Sequence, residues 1–278
     1  MVIAVVGCSR DPSGANSQNE FASQQATEPP DQRSRGESAS HGDAADETAP
    51  PELDRALRLA RKSLATLNTI GDYRCVFQRQ ERVGGELSEE TRMRMKVRQH
   101  PFSVYMCFLE PAASAGQEVI YVEGRNDGKL LAHATGLAGA VGTVALDPNG
   151  MIAMRGGRYP ITEAGMTRLV EKLLELGAKK HLFRESQVEI APIEFAERPC
   201  TRVEIRNPAP VGDFRLAVAR IVLDDQWNVP VHFEALDWPA AGGQPVLLEK
   251  YSYLNLELDV GLTDRDFDPK NPEYAFPE

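Results

Sequence analysis

The chain has 278 residues and a mass of 30.6 kDa, enough for one large domain or two small ones with a real core. Hydrophobic residues make up 42% and charged residues 26%, a globular composition; four cysteines are too few for a disulfide-stapled scaffold, and no apolar run reaches the ~18 residues of a membrane-spanning helix. A net charge of −10 and a pI near 5.1 lack the basic footprint of a general nucleic-acid binder, so no nucleic-acid partner is expected.

At the N-terminus, Val5-Val6-Gly7-Cys8 resembles a bacterial lipobox: aliphatic residues, a small residue beside the cut, then the cysteine whose thiol is acylated. Seven residues precede Cys8, fewer than the ~15–30 of a signal peptide, so this reading needs a start further upstream. The alternative is a free cysteine on an apolar N-terminus. From Asp11 to Pro50 the chain is rich in Ser, Ala, Gly, Gln, Pro and acids, and Phe21 is its only large apolar residue. Such a stretch buries too little surface to offset chain entropy, which predicts a disordered linker over 9–50. Residues 1–50 hold eight acids and three arginines, half of the net charge. If Cys8 is the anchor, the linker is a leash with a reach of about 35 Å, which would keep domain 51–278 near a membrane yet free to move.

Leu53, Ala56, Leu57, Ala60, Leu64 and Leu67 recur at three- and four-residue spacing with Arg55, Arg58, Arg61 and Lys62 between them, which predicts an amphipathic helix over 52–69. The period then changes to two. Tyr73, Cys75 and Phe77 alternate with polar residues, Gly84-Gly85 signals a hairpin, and Met93, Met95 and Val97 alternate with Arg92, Arg94, Lys96 and Arg98. Residues 102–109 are apolar on both faces, as in a central strand covered on each side. Strands 118–123 and 129–133 complete an antiparallel meander. Residues 136–150 are small, apolar and glycine-rich and break the pattern. A second helix is expected over 163–176, then strands near 187–191, 200–206, 214–223, 229–236 and 246–256, and a docked tail over 262–269. Helices do not alternate with strands, so a parallel doubly wound sheet is not expected. The fold class is mainly β with α: a large curved antiparallel sheet, or unclosed barrel, of nine or ten strands with helices against one face.

Gly71-Asp72-Tyr73, Phe77-x-Arg79-x-Glu81-Arg82, Met95-Lys96-Val97-Arg98-x-x-Pro101-Phe102 and Glu118 to Lys129 resemble a bacterial, planctomycete-type family, domain-of-unknown-function fifteen seventy-one, over roughly residues 53–275. More loosely, the same order is similar to the lipoprotein carriers LolA and LolB and the periplasmic sensor RseB, with Arg98, Pro101, Phe102, Asp127-Gly128-Lys129 and the ending Asp264-x-Asp266-Phe267-x-Pro269 at the matching positions. That resemblance implies an unclosed barrel whose helices plug the concave side, and an apolar cavity that accepts acyl chains. A lipid anchor of its own would liken the chain to LolB; the apolar 136–150 insertion departs from the carriers.

Met93, Met95, Phe102, Val104, Met106 and Phe108 put flexible thioethers and rings on nominally inward faces, either as plain core or as a groove for an irregular apolar ligand. Arg92, Arg94, Lys96 and Arg98 form either a solvated face paired with Glu81, Glu86, Glu89 and Glu90, or a surface that docks anionic headgroups or an acidic partner. Gly136, Gly139 and Gly142 lack the spacing of phosphate- or dinucleotide-binding loops and read as a lid over a groove or an ordinary loop. His41, His100, His133, His181 and His232 show no metal-ligand spacing, no nucleophile elbow occurs, and Glu89-Glu90 and Asp224-Asp225 sit at turns. Cys75 and Cys107 would lie two strands apart, too far for a disulfide, and with Cys200 read as buried thiols. No catalytic residue, metal or cofactor is therefore assigned. The sequence reads as a non-enzymatic cell-envelope protein, tethered through Cys8, that binds lipid or an acylated protein. A sensor module using the same groove is the second reading, and an enzyme with unrecognised convergent residues the third.

Overall fold

The structure, a computed structural model, describes residues 49–135 and 142–277. Cys8, nearly all of the linker, Gly136 and Gly139 lie outside the described residues.

Helix α1 (Pro51–Leu67) starts with proline in its first turn, where the missing N–H costs nothing, and carries Glu52 and Asp54 at its positive end. It buries Leu53, Ala56, Leu57 and Leu67. Strands β1 (Asp72–Val83), β2 (Glu86–Leu87), β3 (Thr91–Arg98), β4 (Ser103–Glu110), β5 (Glu118–Val122), β6 (Leu130–His133) and β7 (Thr143–Leu146) follow. The chain then crosses through helix α2 (Met166–Gly177) to strands β8 (Gln187–Phe195), β9 (Arg198–Arg206), β10 (Leu216–Asp224), β11 (Pro230–Asp237) and β12 (Val246–Leu258). All twelve strands belong to one antiparallel sheet in the order β7-β6-β5-β4-β3-β1-β12-β11-β10-β9-β8, with β2 pairing β1 off this path. The first strand and the last therefore meet in the middle. Among the described residues β7 and β8 are free edges, so the sheet stays unclosed, as expected. Two strands exceed the sequence count: the two-residue β2, and β7, which forms inside the 136–150 stretch read as a break in the pattern. Thr143-Val144-Ala145-Leu146 is short enough for its alternation to be lost among the surrounding glycines.

The main core lies between the concave face and the two helices. At their crossing a Cβ on Gly177 would sit 2.4 Å from Leu57 Cδ2, so any larger residue would force the Leu57 side chain to move. No helix among the described residues is long and apolar enough to cross a membrane.

A second, smaller cluster lies on the opposite face. There the C-terminal tail, with a 3-10 turn at Asp264–Phe267, covers Tyr105, Cys107, Ile120 and Val122 with Phe267 and Phe276. This tail explains why β4 is apolar on both faces.

Candidate functional site

Residues 152–165 cross the concave face of the β1–β7 half, and beneath them lies a cavity of about 630 Å³. Small-molecule sites run from about 300 to 1,000 Å³. Register places Met93 opposite Phe108, Met95 opposite Met106 and Val97 opposite Val104, so these side chains share the concave face. Met93, Met106 and Phe108 line the cavity with Phe77, Leu130 and Ile161. Met95 and Val104 are buried in close-packed core instead. Phe102 borders a separate cleft of about 180 Å³ beside the start of α2.

One end of the cavity is polar. The alternation that turns Tyr73, Cys75 and Phe77 inward does the same for Arg79 and Glu81, and antiparallel pairing sets Arg79 opposite Tyr251 and Glu81 opposite Glu249. Two buried acids thus stand side by side. The Tyr251 hydroxyl is 2.5 Å from Glu81 Oε1 and 3.0 Å from Glu249 Oε2, and has one proton to give. Tyr159 donates to Glu249 Oε2 at 2.8 Å, and the Arg158 backbone N–H donates to Glu81 Oε2 at 3.1 Å. The Arg158 side chain donates to the Arg82 carbonyl at 2.8 Å and lies 3.4 Å from Glu249. The acid pair therefore ties the crossing segment to the sheet. Burial, reinforced by the neighbouring Glu81, outweighs the Tyr159 and Tyr251 hydrogen bonds and the Arg158 charge and pushes Glu249 up to about 7. Burial and the two acids drive the Tyr251 phenol far upward, so it stays a donor. Glu81, Arg79 and Tyr159 reach the cavity wall. From sequence, Arg79 and Glu81 enter only as part of a family motif and Glu81 as a partner of the basic stripe, not as a site, although charged residues at inward strand positions were a readable signal. What the sequence hides is the pairing of residue 81 with residue 249.

A family model, "Protein of unknown function (DUF1571)", matches residues 70–276. The chain belongs to this family. No curated protein matches it by sequence. Among solved structures, the DUF1571 domain is similar to Mycobacterium tuberculosis lipoprotein LppX (13% identity, 79% of this chain and 100% of that one, TM-score 0.44). It is also similar to a putative outer membrane lipoprotein-sorting protein domain from Vibrio parahaemolyticus (12% identity, 78% and 97%, TM-score 0.36). MucB, solved in complex with MucA, gives 14% identity over 80% of this chain and 62% of that one, with a TM-score of 0.42.

The basic stripe of the DUF1571 domain is less open than its alternation suggests. Lys96 Nζ lies 2.7 Å from Asp266 and 3.1 Å from the Tyr274 hydroxyl, and Arg98 pairs with Asp264 at 2.8 Å and lies over the Phe267 ring. Arg92 pairs with Glu110 at 3.1 Å and Arg94 donates to Cys107 Sγ. The partners are the tail acids and Glu110, not the hairpin glutamates; Glu90 instead pairs with Lys250 at 2.6 Å. Of the stripe, Arg92 and Arg94 stay the most exposed. Gly142 has a positive φ of 81° and opens β7, whose Val144 and Leu146 line the cavity. Cys75, Cys107 and Cys200 are buried free thiols. Cys75 and Cys107 are on opposite faces of the sheet as well as two strands apart. Among the described residues no group of three or more His, Cys, Asp or Glu is placed to hold a metal.

Proposed function

We propose that this DUF1571 protein is a non-catalytic, cell-envelope carrier that holds a lipid or the acyl chain of a modified protein in the cavity beneath residues 152–165, with Cys8 as its membrane tether. The observation that carries this reading is the cavity itself. About 630 Å³ of space lies against Phe77, Met93, Met106 and Phe108 in a half-sheet that its own side chains do not fill. Methionine suits this wall because its unbranched thioether repacks around irregular apolar ligands.

The test is lipid extraction and native mass spectrometry of the purified full chain beside a Met106→Trp variant, whose indole intrudes on the apolar wall of the cavity. A co-purifying acyl species lost in the variant is expected. An empty wild type that also fails to take up lipid from vesicles would overturn the reading. Membrane fractionation of Cys8→Ser, expressed with its upstream sequence, tests the tether separately: release into the soluble fraction is expected, and unchanged fractionation refutes it.

A further inference from the structure

The polar end of the cavity carries one cation that is held by an ion pair alone. Arg79 is 26% exposed, lines the cavity, and lies 3.7 Å from Glu81 Oε2, beyond hydrogen-bond reach. Among the described residues its guanidinium makes no hydrogen bond. Glu81 is already engaged by the Tyr251 hydroxyl and the Arg158 N–H. Arg158, the other cation of the cluster, is held by the Arg82 carbonyl and Glu249. A guanidinium that faces the cavity with unused N–H donors is open to an acceptor that enters there.

The charge balance points the same way. Burial raises the Glu249 carboxyl to about 7, so it offsets less of the positive charge of Arg79 and Arg158 than an ordinary carboxylate would. Exposed Arg155 at the cavity mouth adds to it. Two other acids in the wall do not cancel it. Glu118 turns its carboxylate to the outer face, where it accepts from the Tyr105 hydroxyl at 2.6 Å and the Ala275 N–H at 2.7 Å. Glu89 is exposed, where water screens its charge. Gly157 of the crossing segment passes beside Arg79: a Cβ there would be in ordinary contact with its guanidinium, at 3.5 Å. A guanidinium fork matches a planar carboxylate in two hydrogen bonds.

We propose that the cavity takes a single-chain amphiphile with a monoanionic carboxylate head, a fatty acid, with Arg79 as the head-group partner and the chain lying against Phe77, Met93, Met106 and Phe108. This rests on the carrier reading above and narrows it.

The experiment is displacement of the neutral reporter N-phenyl-1-naphthylamine from the full chain by oleate, oleyl alcohol and lysophosphatidylglycerol. Oleate is expected to bind about tenfold more tightly than the alcohol. Arg79→Gln should bring oleate to within about twofold of the alcohol, and Arg79→Lys should keep only part of the preference, because an ammonium supplies the charge without the two-pronged contact. Met106→Trp should weaken both ligands together. Equal binding of oleate and alcohol to the wild type, or a preference that survives Arg79→Gln, overturns the head-group assignment and leaves the carrier reading standing. A large advantage for lysophosphatidylglycerol over oleate overturns the carboxylate in favour of a phosphodiester. Failure of every probe to bind overturns both readings.

Discussion

The two halves of the sheet cover their concave faces in different ways. Over β9–β11, helices α1 and α2 press Leu53, Leu57, Leu173 and Leu176 onto Val203, Ile205, Ala219 and Phe233 and leave only about 60 Å³ between them. Over β1–β7 the cover is the 152–165 segment, held by Arg158 and Tyr159, and about 630 Å³ stays open beneath it. The same curved backbone is thus core on one side and vessel on the other. What decides is side-chain volume: two amphipathic helices fill a concave face, and a loop fastened by hydrogen bonds does not. On the outer faces the roles reverse. The convex side of β3–β5 is dry beneath the C-terminal tail, whereas on β9–β11 Arg220 bridges Glu204 and Glu234 in an ion ladder.

The largest test of this contrast removes one ring from each half. Phe233 is fully buried in the filled half, so Phe233→Ala should cost about 3–5 kcal/mol in urea unfolding, because its neighbours cannot collapse into the gap. Phe108 borders the cavity and is only half-buried, so Phe108→Ala should cost less than half as much. Equal losses would mean that the two halves are packed alike.

Much of this division is legible in the sequence. The three- and four-residue spacing in α1 and α2 marks the filling helices, and the alternation of Met93, Met95 and Val97 marks a half-buried strand. The strong two-faced apolarity of 102–109 announces a cover on each side, although the residues that supply the outer cover stand at Phe267 and Phe276, about 160 positions later. Local periodicity carries no information about which distant segment docks where. For the same reason the stripe from Arg92 to Arg98 reads as wet, while Lys96 is actually 19% exposed and Arg98 12%. The polar cluster was hidden more deeply. Arg79 and Glu81 visibly continue the inward phase of β1, but an acid at an inward position is readable as a site only once Glu249 and Tyr251 are known to lie across from it.

That cluster is the fastening of the loop-covered half, and it titrates. Groups acting on Glu249 are Glu81 of β1, itself ion-paired with Arg79, Tyr251 of β12, and Arg158 and Tyr159 of the crossing segment; Asp237 of β11, also raised by burial, feels the same Arg158. Because the folded-state value of Glu249 is raised from 4.5 to about 7, the native state holds a proton that the unfolded chain releases. Its contribution to stability is full below about pH 4.5, declines as pH rises, and is lost above about 7. Glu249→Gln mimics the neutral form at every pH. The variant should match the wild type near pH 4.5 and exceed it by up to about 3 kcal/mol at pH 8, read from urea unfolding at both values. Parallel curves would show that Glu249 is ionised in the fold and that the fastening does not depend on protonation.

The smallest effect concerns the outer cover. Burial alone would raise the Asp266 carboxyl, but the Lys96 ammonium and the Thr263 N–H hold it below its ordinary value. Asp266 also closes the cap on the turn at Asp264–Phe267, accepting from the Thr263 N–H at 2.9 Å. Asp266→Asn keeps an acceptor for the cap and removes the charge that Lys96 meets. For a partly exposed pair the loss should be about 1 kcal/mol. That corresponds to about a fivefold rise in local opening of the tail. The two buried thiols report it separately, because Cys107 lies under the tail with Phe267 and Phe276 while Cys75 belongs to the concave core. Thiol labelling mapped by mass spectrometry should therefore quicken at Cys107 and stay unchanged at Cys75. If both thiols quicken together, the tail opens only when the whole sheet does, and the outer cover is part of the main core, not a layer of its own.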